Sequence, residues 1–351
     1  MKEKYLWVDV LRVFAIAAVV IVHASADIIT EWRAVPWSGW WVANFYDSLA
    51  RGAVPVFVML SGALLLPQVE SYRDFFRKRL QRILIPFIAW TVFYLLWRKY
   101  FYEPQMGLQE VVRRAANGEV HFHLWFLYLI TGLYLLVPFL RVFTAHATRR
   151  DLFYFLGLCF LIASLVPFLE RLDGLFFHTG LRFQIPLEAA QGFTGYFLLG
   201  FVLMKESKPS FLTGAAFLWL AAFLICFFGS GWVAFHGNQF PALFYDNLAP
   251  TVVCYAASFF VIVKETVPRL ETRMNEGVKR SVLSLSAASF GIYLIHPVFI
   301  DLFDHGRLGF VLKPAMGNPV WSIPVTAFAV YLCSYLAVLA LRKIPLLRTT
   351  V

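Results

Sequence analysis

Charged residues are scarce in this sequence. Only 15% of its 351 residues are Asp, Glu, Lys or Arg, whereas 60% are hydrophobic and 18% are aromatic. The mean hydropathy of +0.68 points the same way. A water-soluble domain has too small an interior to bury this much apolar surface. The composition therefore excludes an ordinary soluble protein and predicts a chain that crosses a membrane several times.

Cysteine is also scarce, and several common catalytic motifs are missing. The four cysteines lie far apart, each inside an apolar segment, which favours neither a disulfide framework nor a metal site. The sequence contains no G-x-S-x-G, Walker A or H-E-x-x-H motif. It also has no linker, low-complexity tract or convincing internal repeat. We therefore predict one membrane domain over residues 1–351 and no bound metal.

The net charge of +10 could suggest a nucleic-acid partner, but the basic residues stand in short clusters between apolar runs. That distribution is typical of membrane orientation and favours contact with lipid over nucleic acid. With the N-terminus placed in the cytoplasm, most of the 31 Lys and Arg residues fall on the cytoplasmic side; Arg51 is one of the minority placed outside. The positive-inside rule then predicts both termini in the cytoplasm and an even number of spans.

Ten apolar segments are each close to the roughly 20 residues that a helix needs to cross the hydrocarbon, and the sixth is the shortest. Only helices fit, because open strands leave backbone groups unpaired in lipid. The predicted fold is an all-α polytopic membrane protein with about ten transmembrane helices and both termini cytoplasmic. The predicted segments are 7–28, 47–67, 83–102, 122–142, 152–169, 190–204, 211–230, 247–264, 286–303 and 320–341.

The first segment carries four ionisable side chains on one side. Arg12 and His23 are eleven positions apart, about three helical turns, so they share a stripe and lie ~16 Å apart along the axis. Asp9 is one turn before Arg12, and Asp27 is one turn after His23. Ionisable groups inside a membrane are costly and usually functional. The alternative is an interfacial anchor plus a histidine that a neighbouring helix satisfies.

The second and third segments add further candidates. Pro55 and the Ser61–Gly62 pair predict an interrupted helix, which would free backbone groups for a ligand, although Ser and Gly also allow close helix packing. Arg79 and Arg82 lie one turn apart at the start of the third segment. Guanidinium groups suit phosphate oxygens, so this pair could hold a nucleotide or coenzyme A, or only lipid phosphates.

The fourth and ninth segments carry histidines. His121 and His123 are two positions apart, which on a helix would turn them to different sides and disfavours a metal pair. An aromatic-belt position at the outer interface is the first interpretation for His123, and acceptor binding is the alternative. Tyr293 and His296 are one turn apart, next to Pro297, and either take part in chemistry or only shape a channel.

Taken together, these stretches resemble the bacterial membrane acyltransferase type 3 family over most of the chain. The resemblance is greatest to stand-alone members that O-acetylate surface polysaccharides, such as enterobacterial common antigen O-acetyltransferases. The matching features are Asp9-x-x-Arg12 with His23 following, V-P-x-F-x-x-x-S-G from Val54 to Gly62, R-x-x-R at Arg79 and Arg82 with Pro86 after it, and G-I-Y-L-I-H-P from Gly291 to Pro297.

The resemblance implies transfer of an acetyl group from cytoplasmic acetyl-CoA to a hydroxyl of a glycan or lipid-linked sugar, in a bacterial inner membrane. Arg79 and Arg82 would hold the phosphates of acetyl-CoA, and Arg12, beside Asp9, would act near its acyl end. His23 would be the general base, or would itself carry the acyl group in a ping-pong route.

Two further roles follow from the resemblance. Ser61 or Tyr293 would donate a hydrogen bond to the oxyanion. Many family members have a Glu after the Leu-Trp of the fourth segment that could orient the catalytic histidine. Here the matching positions hold Ile130 and Thr131, so Asp27 becomes the candidate partner of His23.

Two other classes of protein compete with the enzyme. A transporter of a lipid-linked sugar or small metabolite would use the same polar groups to line a path and would need no acyl donor. A non-catalytic membrane sensor is disfavoured because no soluble output domain is present. Oligomerisation is open to all three classes, since lipid-facing and subunit-facing helices have the same composition.

Overall fold

The computed structural model describes residues 5–180, 192–236 and 242–351, and within these ranges the chain is helical and contains no strand. This confirms the predicted all-α fold class. The helices are α1 Leu6–Thr30, α2 Trp37–Ala50, α3 Ala53–Leu65, α4 Tyr72–Arg79, α5 Ile85–Phe101, α6 Leu108–Asn117, α7 Trp125–His146, α8 Arg149–Phe160, α9 Val166–Leu172, α10 Thr194–Glu206, α11 Leu212–His236, α12 Ala242–Tyr245, α13 Pro250–Glu271, α14 Glu276–Asp304 and α15 Pro319–Leu341.

Nine helices in the described ranges are long and apolar enough to cross a membrane, and they account for nine of the ten predicted segments. Several are built from two consecutive helices. Wider π-helical turns at Leu80–Leu84 and Leu161–Leu165 join α4 to α5 and α8 to α9. The sixth predicted segment, 190–204, forms α10, which has only 13 residues; positions 190 and 191 lie outside the described residues. The chain is a multi-pass membrane protein.

The two ends of the described chain lie at the same end of the helix bundle, which we call the near end. Near the start of α1, Asp9 accepts a hydrogen bond from Ser286 Oγ at 2.6 Å. Just after α15, Arg342 donates to the carbonyl of Ala287 at 2.7 Å. The opposite, far end contains Asp301, close to the end of α14. Both ends at one end of the bundle are what an even number of spans requires; that number and the cytoplasmic location of the termini stay predictions.

The end of the short helix α10 can be placed by an ion pair. The chain has reached the far end when α9 and the turn after it finish, where Arg171 pairs with Asp246 at 2.5 Å. It is back at the near end at Glu206, which pairs with Arg149 at 3.2 Å. Arg171 and Glu206 therefore lie at opposite ends of the bundle.

Helix α1 occupies the middle of the bundle and contacts α2, α3, α13, α14 and α15. Leu11, Ile16, Val20 and Ile28 are completely or almost completely buried along it. Because lipid is as apolar as these side chains, close van der Waals packing holds such helices together. The central position of α1 surrounds the Arg12–His23 stripe with other helices.

The second span is interrupted, but at a different place from the predicted one. Helix α3 continues through Pro55 and the Ser61–Gly62 pair, and the break comes earlier, at Arg51–Gly52. Pro55 is tolerated because it stands in the first turn of α3, where its missing N–H has no partner to lose. Gly62 serves the alternative interpretation, close helix packing: a Cβ there would lie 1.7 Å from the carbonyl oxygen of Phe197 in α10.

Gly200 makes the reciprocal contact, and its replacement by Val should prevent folding. A Cβ at Gly200 would lie 1.9 Å from the carbonyl oxygen of Met59, so the backbones of α3 and α10 would have to separate. We expect little monodisperse protein in detergent by fluorescence size-exclusion chromatography. The matched control is Gly214→Val in α11, where a Cβ meets nothing within 4 Å. Equal yield and melting temperature for the two variants would contradict the packing described here.

Candidate functional site: a path from an arginine-lined cavity to His23

A cavity of about 800 Å³ opens at the near end, a size typical of small-molecule sites. Its most prominent feature is charge. Among the described residues, no Asp or Glu lines it, whereas five arginines do: Arg12, Arg79, Arg82, Arg342 and Arg348. A cavity of this size whose charged side chains are all cationic is suited to a ligand that carries several negative charges.

Arg79 and Arg82, which their spacing placed one turn apart, both line this cavity. Arg79 ends α4, and Arg82 lies in the π-helical turn that follows. The Arg79 guanidinium lies 5.0 Å from the centre of the Phe75 ring, and its Nε has no hydrogen-bond partner in the structure. That nitrogen is itself buried, so a ligand in the cavity would meet the terminal nitrogens of the Arg79 guanidinium, which suit phosphate oxygens.

Glu70 holds the arginines beside the cavity without lining it. It accepts hydrogen bonds from Lys78 at 2.7 Å and Arg141 at 3.0 Å, and lies 3.7 Å from Arg79. Burial acts to raise the pKa of Glu70, but these hydrogen bonds bring it below the ordinary value. The carboxylate stays ionised at neutral pH and fixes Arg79 from behind.

Arg12 stands where the near-end cavity continues inward. Its Nη1 lies 3.4 Å from Asp9 Oδ1, the oxygen that also accepts from Ser286. A second cavity of about 210 Å³ shares Arg12, Ser61 and Tyr134 with the first and extends to Tyr293. Asp9 therefore positions Arg12 at the junction between the two cavities.

A third cavity of about 170 Å³ follows, and we call it the inner chamber. It shares Val19 and Tyr293 with the second cavity, and His23 is one of its walls. Arg51 and Trp125 are others. Successive cavities share lining residues, so the three lie in a row from the arginines at the near end to His23, and we call this row the path. The stripe from Arg12 to His23, ~16 Å long, follows this path.

Four histidines cluster around the inner chamber. The rings of His23 and His296 have centroids 5.3 Å apart, and those of His123 and His296 are 5.5 Å apart. His296 Nδ1 donates to the carbonyl of Tyr293 at 2.8 Å, so its Nε2 is a lone-pair acceptor; this atom is buried without a partner. His121 Nδ1 lies 2.9 Å from His123 Nδ1.

The aromatic-belt interpretation of His123 is wrong. The side chain is only 1% exposed and lines the inner chamber. The spacing argument also failed, because α7 starts at Trp125 and residues 121 to 124 form a turn that brings His121 and His123 together. Even so, no group of three His, Cys, Asp or Glu side chains in the described ranges could hold a metal ion.

Three of the predicted site residues have other partners. Tyr293 donates its hydroxyl hydrogen to the carbonyl of His123. Ser61 Oγ donates to the carbonyl of Phe57 at 2.9 Å. Asp27 pairs with Lys313 at 3.1 Å. The two hydroxyls predicted to stabilise an oxyanion, and the carboxylate predicted to orient His23, are thus engaged elsewhere in this structure.

His121 should make the stability of the protein depend on pH. Burial, and then the charge of Arg98, lower the pKa of His121 from 6.5 to about 4. Below about pH 6.5 the unfolded chain therefore binds a proton at His121 that the folded chain does not bind. The contribution of His121 to the free energy of unfolding is complete above pH 6.5 and is lost as the pH falls towards 4.

We expect the melting temperature in detergent to fall over this interval, and to fall less steeply for His121→Gln. His236→Gln, at an exposed position in α11, is the control and should follow the wild type. A slope that is identical in wild type and His121→Gln would show that His121 does not titrate in this way.

Several lining residues were not recognised as site residues from the sequence. Arg342 and Arg348 looked like orientation charges, and Arg51 looked like an outer-side charge. Asn247 gave no signal at all, yet it lines the inner chamber. In the predicted segment 47–67, Arg51 lies close to the outer edge. A span that starts at Trp37, where α2 begins, would have placed Arg51 in its middle and marked it as a candidate site residue.

Comparison with known protein families identifies the family of this chain. The sequence profile of an acyltransferase domain family matches residues 5–339. No curated protein and no solved structure matches the chain. The matched range includes His23, Arg12, Arg79 and Arg82, whereas Arg342 and Arg348 of the near-end cavity follow its end. The chain therefore belongs to the acyltransferase 3 family of membrane enzymes, which transfer acyl groups.

Proposed function

We propose that this protein is an O-acetyltransferase that moves an acetyl group from acetyl-CoA to a hydroxyl of a cell-surface or lipid-linked polysaccharide. The observation that carries the proposal is the path from a cavity lined by five arginines to a chamber lined by His23. Few metabolites combine a group with several phosphates, which needs a cationic site, and a long thin chain that ends in a reactive group, which needs a narrow passage. Coenzyme A thioesters combine these two parts.

In this proposal the donor enters at the near end. Arg79 and Arg82 bind its phosphates, with Arg342 and Arg348 on the same cavity wall. The pantetheine arm passes Arg12 and Ser61 and brings the thioester to the inner chamber. The positive-inside rule supports a cytoplasmic near end, where acyl-CoA is available.

The chemistry needs one base and balances without a metal. The acceptor oxygen attacks the thioester carbonyl carbon, its proton passes to His23, and the carbonyl π electrons move to oxygen. The intermediate collapses as the C–S bond breaks, and the leaving sulfur takes the proton from His23, which returns to its neutral form. The products are an acetyl ester and free CoA. General base catalysis of this kind typically contributes ~10²–10⁴-fold.

The acceptor would reach the inner chamber from the far end. Trp125 offers an aromatic face and Asn247 an amide there, the side chains with which proteins commonly contact sugar rings. We propose the bacterial inner membrane as the location, with the far end towards the periplasm, where surface polysaccharides are modified.

Binding and turnover of acetyl-CoA test this proposal. Purified protein in detergent should bind radiolabelled acetyl-CoA, release CoA thiol, and pass the label to glycan in membranes that contain the acceptor. A transporter would carry its cargo without acyl-CoA-dependent labelling. If the protein binds neither acetyl-CoA nor a longer acyl-CoA, the acyltransferase proposal fails for this chain.

A further inference from the structure

Arg51 is the charged side chain in the inner chamber whose role the proposed mechanism leaves open. It lies at the break between α2 and α3 and lines the same chamber as His23. A cation in the middle of a membrane protein is costly and usually marks function. Helix α2 starts at the far end, 14 residues before Arg51, and runs into the interior of the bundle. The break that follows α2 therefore places the backbone of Arg51 in the interior.

The guanidinium of Arg51 is rigidly held. Its Nε donates to Asp47 Oδ2 at 2.6 Å, and its Nη2 contacts the same oxygen. Its Nη1 donates to the carbonyl of Tyr245 at 3.1 Å, and the group lies 4.2 Å from the centre of the Tyr245 ring. Asp47 is 1% exposed and also accepts from Ser25.

A second set of contacts fixes the partners of Arg51. The Tyr245 hydroxyl donates to Asn44 Oδ1 at 2.5 Å, and Asn44 Nδ2 donates to the carbonyl of Phe227 at 2.9 Å. Both Asn44 and Ser48 are completely buried. The network thus joins α1, α2, α11 and α12, and orders the guanidinium before any substrate arrives.

These contacts leave part of the guanidinium unused. An arginine has five N–H donors, and the contacts given above from the described residues engage three, on Nε, Nη1 and Nη2. Arg51 itself lines the chamber, so its remaining donors are available to an oxygen there. The hydroxyls of Ser61 and Tyr293, the oxyanion donors expected from the sequence, are already committed to backbone carbonyls.

We propose that Arg51 is a further catalytic residue, which donates hydrogen bonds to the carbonyl oxygen of the thioester as that oxygen gains negative charge. This rests on the proposed acyl transfer to a hydroxyl. Asp47 is a positioning residue: it neutralises the resting charge of Arg51 and holds its fork in place. Fixed donors that meet charge only as it develops stabilise the transition state more than the ground state.

The test removes the pair together, since removal of one partner would leave an unpaired buried charge and could unfold the protein. Asp47→Leu/Arg51→Met replaces both side chains with apolar groups. We expect kcat for hydrolysis of acetyl-CoA, with water as acceptor, to fall by about 10²–10³-fold. The Kd for acetyl-CoA should stay within a few-fold of wild type, because the phosphates bind at the near end. Arg51→Lys, which keeps a charged donor, should recover part of the loss.

The matched control is Arg171→Met/Asp246→Asn, which removes a far-end ion pair whose members do not line the inner chamber; it should leave kcat unchanged. If Asp47→Leu/Arg51→Met folds and keeps wild-type kcat, Arg51 is only structural and the inference is overturned. If this variant loses kcat and Kd in parallel with its melting temperature, and Arg51→Lys recovers nothing, the inference is also overturned. A wild-type protein that binds no acyl-CoA would instead overturn the proposed function itself.

Discussion

Replacing His23 with Gln is expected to lower kcat for acetyl-CoA hydrolysis by about 10²–10⁴-fold and to leave the Kd for acetyl-CoA within a few-fold of wild type. The imidazole lines the inner chamber, at the opposite end of the path from the arginine-lined cavity. Removing the base therefore affects the proton transfer and not the binding of the phosphates. Gln keeps a polar side chain of similar length but cannot accept a proton at neutral pH.

The measurement is release of CoA thiol at saturating donor, with equilibrium binding of radiolabelled acetyl-CoA beside it. His146→Gln, at an exposed position near the end of α7, is the control and should behave as wild type. A His23→Gln protein that turns over acetyl-CoA at the wild-type rate would exclude His23 as the base. Trapped acetyl label on His23 of the wild type would favour the ping-pong route.

Replacing Arg79 and Arg82 together with Gln is expected to raise the Kd for acetyl-CoA about 100-fold or more. Hydrogen bonds from charged donors contribute about 1.5–3 kcal/mol each, and each 1.4 kcal/mol corresponds to a factor of ten in Kd. Once the donor is bound at saturating concentration, kcat should change little, because the base and the inner chamber are intact.

The control for this pair is Arg77→Gln, on the same short helix as Arg79. Arg77 is exposed and does not line the cavity. The Arg77→Gln substitution therefore removes one positive charge without removing a phosphate contact. If Arg77→Gln and the double variant raise the Kd for acetyl-CoA to the same modest extent, the donor is attracted by the overall positive charge of this surface and not by specific contacts with Arg79 and Arg82. The two arginines would then be anchors at the membrane surface, the alternative that their sequence left open.

Composition and periodicity predicted most of the fold. Apolar length identified nine spans that the structure contains, and the helical period correctly put Arg12 and His23 along one path. These properties are local to a single helix, so the sequence carries them directly. The length of the second span was less accurate, because the start of α2 carries Trp, Ser and Gly residues that resemble an outer loop.

What the sequence could not give was the contact between distant elements. The place of Arg342 on the same cavity wall as Arg79 depends on how α15 packs in the bundle. The pairing of Asp27 with Lys313 and the turn that joins His121 to His123 likewise depend on tertiary structure. Arg51 is the clearest example. A charge at the edge of an apolar run looks interfacial until the position of the preceding helix is known.

The central claim is that one path joins the donor cavity to His23, and blocking that path tests it most directly. Ser289 lines both the near-end cavity and the second cavity, and Ser289→Phe would fill the junction while leaving the five arginines in place. The account predicts that this variant still binds adenosine 3′,5′-bisphosphate, a fragment of coenzyme A, within a few-fold of wild type, but no longer hydrolyses acetyl-CoA. Ser289→Ala should retain both properties. Hydrolysis of acetyl-CoA by a folded Ser289→Phe protein at the wild-type rate would contradict the account, because the thioester would then reach its base by another route.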